Sequence, residues 1–404
     1  MVRIRKTNWL TCGVFYNSAG RGYLLNETQL NQPFVLRIQI PDPPSFEDPW
    51  RNYPGGDPFP FKAPSTDDEK RNFRFVTPTA IGRFFGSDNA TPYNQQWNFS
   101  LQHEVLPGTV VTAAYAGSKG TRLMINYEVN QAAYLPGNGP DGRPLSTTGN
   151  IDSRRPYRDF QSINAAETVG NSTYHSLQLS VNRRFSRGLY FMANYTFAKA
   201  LDFQSLDRNA GTPQDARNFR LERRLADFDR RHVFVTSFLA EIPSPWKGGP
   251  AAWLTRGWQT NGIFNYTSGS PMNVTPGTGR ALQGGGDQRV DVVGDFRLPA
   301  GRSFDEQRTA YFNKAAFAQA PVGRFGNFAR NGLVGPGRYN LDFSLFKSTK
   351  VTERFTVQFR WEMFNAFNHA NLGNPVTNFM SSVFGQINTV TGPRVMQMGL
   401  KLVY

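Results

Sequence analysis

Beyond about residue 93 the chain is built from segments in which apolar and polar residues alternate one by one. In YHSLQLSVNRRF, His175, Leu177, Leu179 and Val181 share one side, while Tyr174, Ser176, Gln178, Ser180 and Asn182 share the other. In LYFMANYTFAK, Leu189, Phe191, Ala193, Tyr195 and Phe197 fall together. Successive side chains of an extended backbone point to opposite faces, so a period of two predicts strands with one apolar and one polar face. WNFSLQHEVL (97–106) and TVVTAAYAGS (109–118) flank Pro107-Gly108, and Ser186-Arg187-Gly188 divides the other two segments, so both pairs are expected to be hairpins.

RHVFVTSFLAEI (231–242) and GWQTNGIFNYTSG (257–269) continue the pattern across a Pro/Gly/Trp connection at 243–256. Further on, Tyr339, Leu341, Phe343 and Leu345, then Phe355, Val357, Phe359, Trp361 and Met363, form apolar faces. The opposite faces carry Asn340, Asp342 and Ser344, then Arg354, Thr356, Gln358, Arg360 and Glu362. The chain closes on GPRVMQMGLKLVY, with Met396, Met398, Leu400, Leu402 and Tyr404 on one face.

Long segments rich in Gly, Pro, Asn and Arg separate the hairpins, at roughly 132–158, 200–230 and 270–338. Connections of that length are uncommon inside a compact soluble domain, whereas short turns alternating with long loops suit an outer-membrane barrel. The strands, at about 10 to 14 residues, exceed the mode of about 5 to 6 for globular sheets. Trp97, Tyr195, Tyr266, Trp361 and Tyr404 sit on the apolar faces where an interfacial girdle would need aromatics. Mid-strand Arg and Glu on the polar faces suit a water-filled lumen. Residues 31–92, including PDPPSFEDPWRNYPGGDPFPFKAP, are too rich in proline for central strands and are expected to form a long external loop or irregular rim.

Composition sharpens this picture. Hydrophobic residues are only 39% of the 404, yet 14% are aromatic, with 34 Phe and 15 Tyr, a balance that favours strands. No run approaches the roughly 18 apolar residues of a spanning helix, but a barrel strand needs only about 9 to 11 residues with every second one apolar. The net charge of +15 is spread in singles and pairs such as Arg183-Arg184 and Arg230-Arg231, with no basic arm, so nucleic acid is not an expected partner. One cysteine, Cys12, permits no internal disulfide, and with four histidines no metal-ligand spacing occurs. The basic N-terminus leads into an apolar stretch, 9–16, broken by Thr11, Cys12 and Gly13, which makes a weak signal-peptide core.

Candidate sites are few. Asp227, Asp229, Arg230, Arg231 and His232 could serve acid–base or phosphate chemistry, but a loop-to-strand boundary with solvated ion pairs is the simpler expectation. QGGGDQR (283–289) lacks the Lys and Ser/Thr of a phosphate loop and is expected to be a flexible surface loop. Asp67, Asp68 and Glu69 lie in a polar stretch with no apolar pocket. Arg354, Gln358, Arg360 and Glu362 are the lumen-facing candidates for contact with a plug or substrate, against the plainer expectation that they pair across strands. Tyr311, Phe312 and Phe325 are loop aromatics that could meet a glycan or peptide. No catalytic residue, metal site or cofactor is implied, and no enzyme activity is expected.

The blocks NFSLQHEVLPGTVVTAAYAGSKGTRL, STYHSLQLSVNRRFSRGLYFMANYTFAKALD, DFDRRHVFVTSFLAEIP, GWQTNGIFNYTSGSPMNV, YNLDFSLFKSTKVTERFTVQFRWEMFNAFNHANLGNP and RVMQMGLKLVY together resemble the C-terminal barrel of Oar-like TonB-dependent outer-membrane receptors. The resemblance covers nearly everything after residue 93, and CGVFYNSAG looks like a strand of the same barrel. It implies an all-β, antiparallel transmembrane β-barrel with long extracellular loops, present in part: roughly 11 or 12 candidate strands against about 22 in the whole barrel. Residues 1–92 would supply a partial barrel strand and a Pro-rich loop, and 93–404 the C-terminal strands. No plug and no TonB-contacting segment is seen, so the chain is expected to be a fragment that reaches the TonB complex only through a plug region it lacks. The implied place is the Gram-negative outer membrane. The implied partners are membrane lipid, an unidentified ligand, and the barrel-assembly machinery, whose signal the lipid-facing Met398, Leu400, Leu402 and Tyr404 resemble. A surface-exposed or soluble β-rich binding protein, adhesin-like, is the alternative; it would cover Phe355, Val357, Phe359 and Trp361 with a second sheet.

Overall fold

The computed structural model describes residues 2–5, 8–18, 31–40, 43–205, 212–246 and 248–404. Eleven strands follow one another in a single antiparallel wall: β1 (Val2–Arg5), β2 (Asn8–Ser18), β3 (Tyr93–Leu106), β4 (Thr109–Glu128), β5 (Phe160–Ser186), β6 (Leu189–Asp202), β7 (His232–Ile242), β8 (Trp258–Thr267), β9 (Arg338–Lys350), β10 (Thr356–Phe364) and β11 (Val395–Val403). β1 and β11 each pair on one side only, so the wall is an open, partial barrel.

Turn chemistry fixes one end of the wall. Pro107-Gly108 joins β3 to β4 with Gly108 at φ +76, and Arg187-Gly188 joins β5 to β6 with both residues at positive φ, the conformation a two-residue turn needs to match strand twist. Residues 243–257 and 351–355 make the other connections at this end. The opposite end carries 31–40, 43–92, 129–159, 203–205, 212–231, 268–337 and 365–394. In outer-membrane barrels the longer loops are the extracellular ones, so the long external loops expected from the sequence fall at this end.

Register places the apolar positions in continuous rows. Phe191, Phe238, Gly262, Phe343, Met363 and Met396 stand opposite one another across six strands. Tyr195, Phe234, Tyr266 and Tyr339 form a second row. Neighbouring rows on the other face are polar, as in Asn261, Ser344, Glu362 and Gln397. The alternation read from the sequence is therefore one two-faced surface, and its apolar face is uncovered: Val14 is 81% exposed and Leu400 77%.

Three expectations need correction. β4 and β5 are far longer than their alternating segments, at 20 and 27 residues, because they run on past the wall into the loops. The Pro-rich stretch contains a strand, Thr79–Phe85, that pairs parallel with the loop end of β5, a position where proline at its border costs no ladder bond. The segment 365–394, not singled out as a loop, crosses the same external end as the others.

Candidate functional site

The external loops fold onto one another as a cap with its own core. Val274, Val290, Phe312, Phe317, Phe328, Leu333 and Phe384 are buried together, drawn from loops on either side of β9 and β10. Phe312 meets Phe317 and Phe384 edge-on, with ring centroids 5.2 Å and 5.0 Å apart, the arrangement the ring quadrupole favours. Phe312 is thus a core residue and is not available to a ligand, since its fractional exposure is 2%. Tyr311 is half-buried; its hydroxyl donates to the Val334 carbonyl at 3.0 Å, and burial pushes its pKa up to about 12. Phe325 is half-buried.

Three buried arginines tie the loops to one another, and one of them, Arg330, ties them to the wall at Asp202. Arg289 grips Glu222 through two bonds of 2.8 and 2.9 Å and donates to the Phe328 carbonyl. Arg330 reaches Asp202 at 2.8 Å and Asp227 at 3.2 Å, and Arg155 pairs with Asp152 at 2.8 Å. Each buried charge is paired and further hydrogen-bonded, the condition under which burial is tolerated. The acid–base cluster expected at 227–232 dissolves into this framework. Asp229 is buried and accepts from the Ala200 amide at 2.6 Å, Asp227 holds Arg330 and Asn331, and His232 bonds the Tyr195 hydroxyl at 2.8 Å. Among the described residues only Asp227 of this group forms an ion pair, to the buried Arg330, and its own side chain stays 49% exposed, while Asp229 is held by a backbone amide.

Gly284, Gly285 and Gly286 are likewise not a flexible surface loop. A Cβ at Gly285 would lie 2.5 Å from Glu128 and one at Gly286 would lie 2.5 Å from the Pro213 carbonyl, so the run is a close-packed junction between loops. Asp67, Asp68 and Glu69 open the short helix Asp67–Arg71, where Glu69 and Thr66 cap each other; those backbone bonds hold the Glu69 carboxyl down at about 2. Among the described residues no group of three His, Cys, Asp or Glu side chains could hold a metal ion.

Beside this framework lies a cavity of about 570 Å³ between the Pro-rich segment and the β4–β5 loop. Gln39, Asn52, Tyr53, Asp152, Asp159 and Gln161 line it. Gln161 is fixed by bonds to Gln39 and Asp152, and Tyr53 donates to the Pro78 carbonyl at 2.7 Å, so the walls are preset.

The polar-face candidates separate. Gln358, Arg360 and Glu362 lie on β10 and share its polar face, with Arg360 bonded to Gln358 at 2.8 Å and its guanidinium 5.5 Å from the Phe346 ring; Glu362 accepts from Gln397 on β11. Arg354 sits apart, in the exposed turn before β10. Met398, Leu400 and Leu402 lie on β11 with exposures of 71, 77 and 57%, and Tyr404, just past its end, is 95% exposed. The buried arginines were missed because nothing in their local sequence distinguishes them. Their spacing from acidic partners, as far as 128 residues for Arg330 and Asp202, gives no signal.

No helix among the described residues is long and apolar enough to cross a membrane, which says nothing of strands. No curated protein matches the sequence significantly. Among solved structures, the chain is similar to the outer membrane transporter YddB from Escherichia coli (9% identity, TM-score 0.42, covering 81% of this chain and 34% of that one). It is similar to the ferric-catecholate import receptor Fiu from E. coli K12 (9%, 0.41, 99% and 33%) and to the ferric yersiniabactin uptake receptor FyuA from Yersinia pestis (10%, 0.36, 78% and 31%). The chain spans about a third of the length of these proteins. Residues 11–397 match the outer membrane beta barrel domain. With that match spanning almost the whole antiparallel wall, the chain belongs to the outer membrane β-barrel domain family, and its place is the outer membrane.

Proposed function

We propose that the chain is part of the barrel of an Oar-like, TonB-dependent outer-membrane receptor. In that reading the cap meets an extracellular ligand, a plug carried by another part of the barrel closes the lumen, and TonB energises uptake; no covalent step is involved. The carrying observation is an apolar face left uncovered along the wall, combined with folded loops at one end only and tight turns at the other. An adhesin-like soluble protein would need a second sheet over that face, and none covers it among the described residues.

Gln358, Arg360 and Glu362 would then face the lumen. Met398, Leu400, Leu402 and Tyr404 would face lipid and present the terminal strand to the assembly machinery. The cavity beside Tyr53 and Asp159, with amides, carboxylates and an aromatic wall, suits a glycan or a peptide.

Strand parity constrains how the wall closes. In an antiparallel wall of eleven strands, β1 and β11 run the same way. An unpaired edge in lipid costs several kcal/mol per backbone group, so both edges must be paired, and antiparallel pairing at both requires an odd number of added strands. Two identical walls in the same orientation would meet in parallel at each seam. The parity therefore supports completion by a different stretch of polypeptide, for which about eleven further strands would give a barrel of about 22.

The test is fractionation. The full chain is expected in the detergent-extracted outer membrane and to regain β structure on refolding in detergent micelles. Recovery as a monodisperse, detergent-free monomer would sink the proposal.

A further inference from the structure

On the apolar face, one patch departs from the pattern. Register sets Lys119 opposite Thr173, and His175 opposite both Gly117 and Lys199, so Lys119, His175 and Lys199 converge on the loop side of the apolar rows. Arg223 joins them from the β6–β7 loop, its guanidinium donating to Asn171 at 3.2 Å and to the Thr173 hydroxyl at 3.2 Å. Lys119, His175 and Lys199 are exposed. No carboxylate pairs with Lys119, Lys199 or Arg223 among the described residues, whereas the buried Arg155, Arg289 and Arg330 are each matched with an acid.

The position of His175 is set from below. Trp97 Nε1 donates to the Tyr115 hydroxyl at 3.3 Å, and that hydroxyl lies 2.7 Å from His175 Nδ1. The tyrosine oxygen thus links the indole N–H to the imidazole and holds the His175 ring in place on this face. Gly117 permits this relay: a Cβ there would lie 2.3 Å from Trp97 Nε1, so only glycine lets the indole cross β4. The patch accordingly presents two ammonium groups, a guanidinium and an imidazole.

Height along the wall identifies what it meets. From Thr109, beside the tight turn, to Lys119 a strand tilted by about 45° rises about 24 Å, close to the roughly 25 Å band that spans the hydrocarbon of an outer membrane. Phe99, Tyr115, Leu177 and Phe197 occupy the next row toward the turn and would lie against acyl chains. Immediately above them, at the headgroup level, stands a cluster of two lysines, an arginine and a histidine. Charge and height together match a phosphate group carried on a lipid of the external leaflet.

We propose that Lys119, His175, Lys199 and Arg223 form a binding site for the phosphate of an outer-leaflet glycolipid, whose acyl chains lie along the aromatic row beneath. The site rests on the membrane reading above but concerns the outside of the wall, independent of any transported ligand.

The full chain, refolded in dodecyl maltoside, would be titrated with bis-phosphorylated lipid A and with the same lipid after phosphatase treatment, and bound lipid counted by native mass spectrometry. The phosphorylated form is expected to bind about tenfold more tightly, and the exposed-site double variant Lys119→Gln/Lys199→Gln to lose that margin, while Lys350→Gln at the opposite rim keeps it. Equal retention of the two lipids, an unaffected double variant, or full competition by millimolar inorganic phosphate would each overturn the proposal. Circular dichroism on the same samples separates these outcomes from failure of the barrel reading, which would show as a wild-type chain without β structure in detergent.

Discussion

Glu222 and Arg289, 67 residues apart in the chain, meet through two parallel hydrogen bonds of 2.8 and 2.9 Å with both side chains under 5% exposed. Glu222 belongs to the loop after β6 and Arg289 to the loop after β8, so the pair staples two external loops over the wall. Glu222→Gln leaves a buried guanidinium without a counter-charge and is expected to cost about 3 to 5 kcal/mol of cap stability. Limited proteolysis of the refolded chain should show new cleavage within 212–231 and 268–335 with the wall protected. An unchanged pattern would mean that the pair is dispensable.

Phe312 tests whether the cap has a true core. Phe312→Ala should cost about 3 to 5 kcal/mol, because it removes a ring packed against Phe317 and Phe384 that the fixed loop backbones cannot replace. Hydrogen exchange would then quicken in 268–337 and 365–394 and stay slow in β9 and β10. Uniform quickening would instead show that cap and wall unfold as one unit.

The two faces of β9 are separable at adjacent residues. Phe343 lies in the middle of an apolar row and Ser344 in a polar one. Phe343→Arg is expected to destabilise the refolded protein by about 2 to 4 kcal/mol in lipid, and Ser344→Arg by far less. Denaturant titration in bilayers reads the difference, and the reverse order would invert the assignment of lipid and lumen.

Glu69 and Glu306 each close a capping box, with Thr66 and Ser303. Backbone bonds to Thr66 and Ser65 hold Glu69 at about 2, and the Ser303 hydroxyl and amide lower Glu306. Both carboxyls are thus more acidic folded than unfolded. Their contribution is complete above the ordinary value of 4.5 and is lost as pH falls from there through the folded value, about 2 for Glu69. Carboxyl NMR of Glu69 should give a midpoint well below 4.5, and Ser65→Ala, which removes the hydroxyl that donates to Glu69 Oε2, should move it part of the way back up. A normal midpoint in the wild type would refute the cap.

Gly117 supports the indole of Trp97 across β4. Gly117→Ala should expel the ring and break its bond to Tyr115, at a cost of about 1 to 3 kcal/mol. A change in tryptophan emission absent from a Trp97→Phe background would locate the effect.

Alternation alone settled the wall. Leu177, Leu179 and Val181, or Phe355 through Met363, carry their face in a period of two, a local property of the extended backbone that needs no knowledge of neighbours. The tight turns at Pro107-Gly108 and Arg187-Gly188 were legible for the same reason, and with them which end is trimmed. What only the tertiary structure decided depends on pairing over distance. Register brought Lys119 and Lys199 to either side of His175, and loop closure joined Glu222 to Arg289 and buried Phe312. It also continued β5 back to Phe160, where alternation has faded and the partner strand alone keeps the chain extended. Segments such as 132–158 and 270–338 read as mere loops because their order resides in contacts between segments, and a sequence read one stretch at a time carries no mark of a partner 67 or 128 residues away.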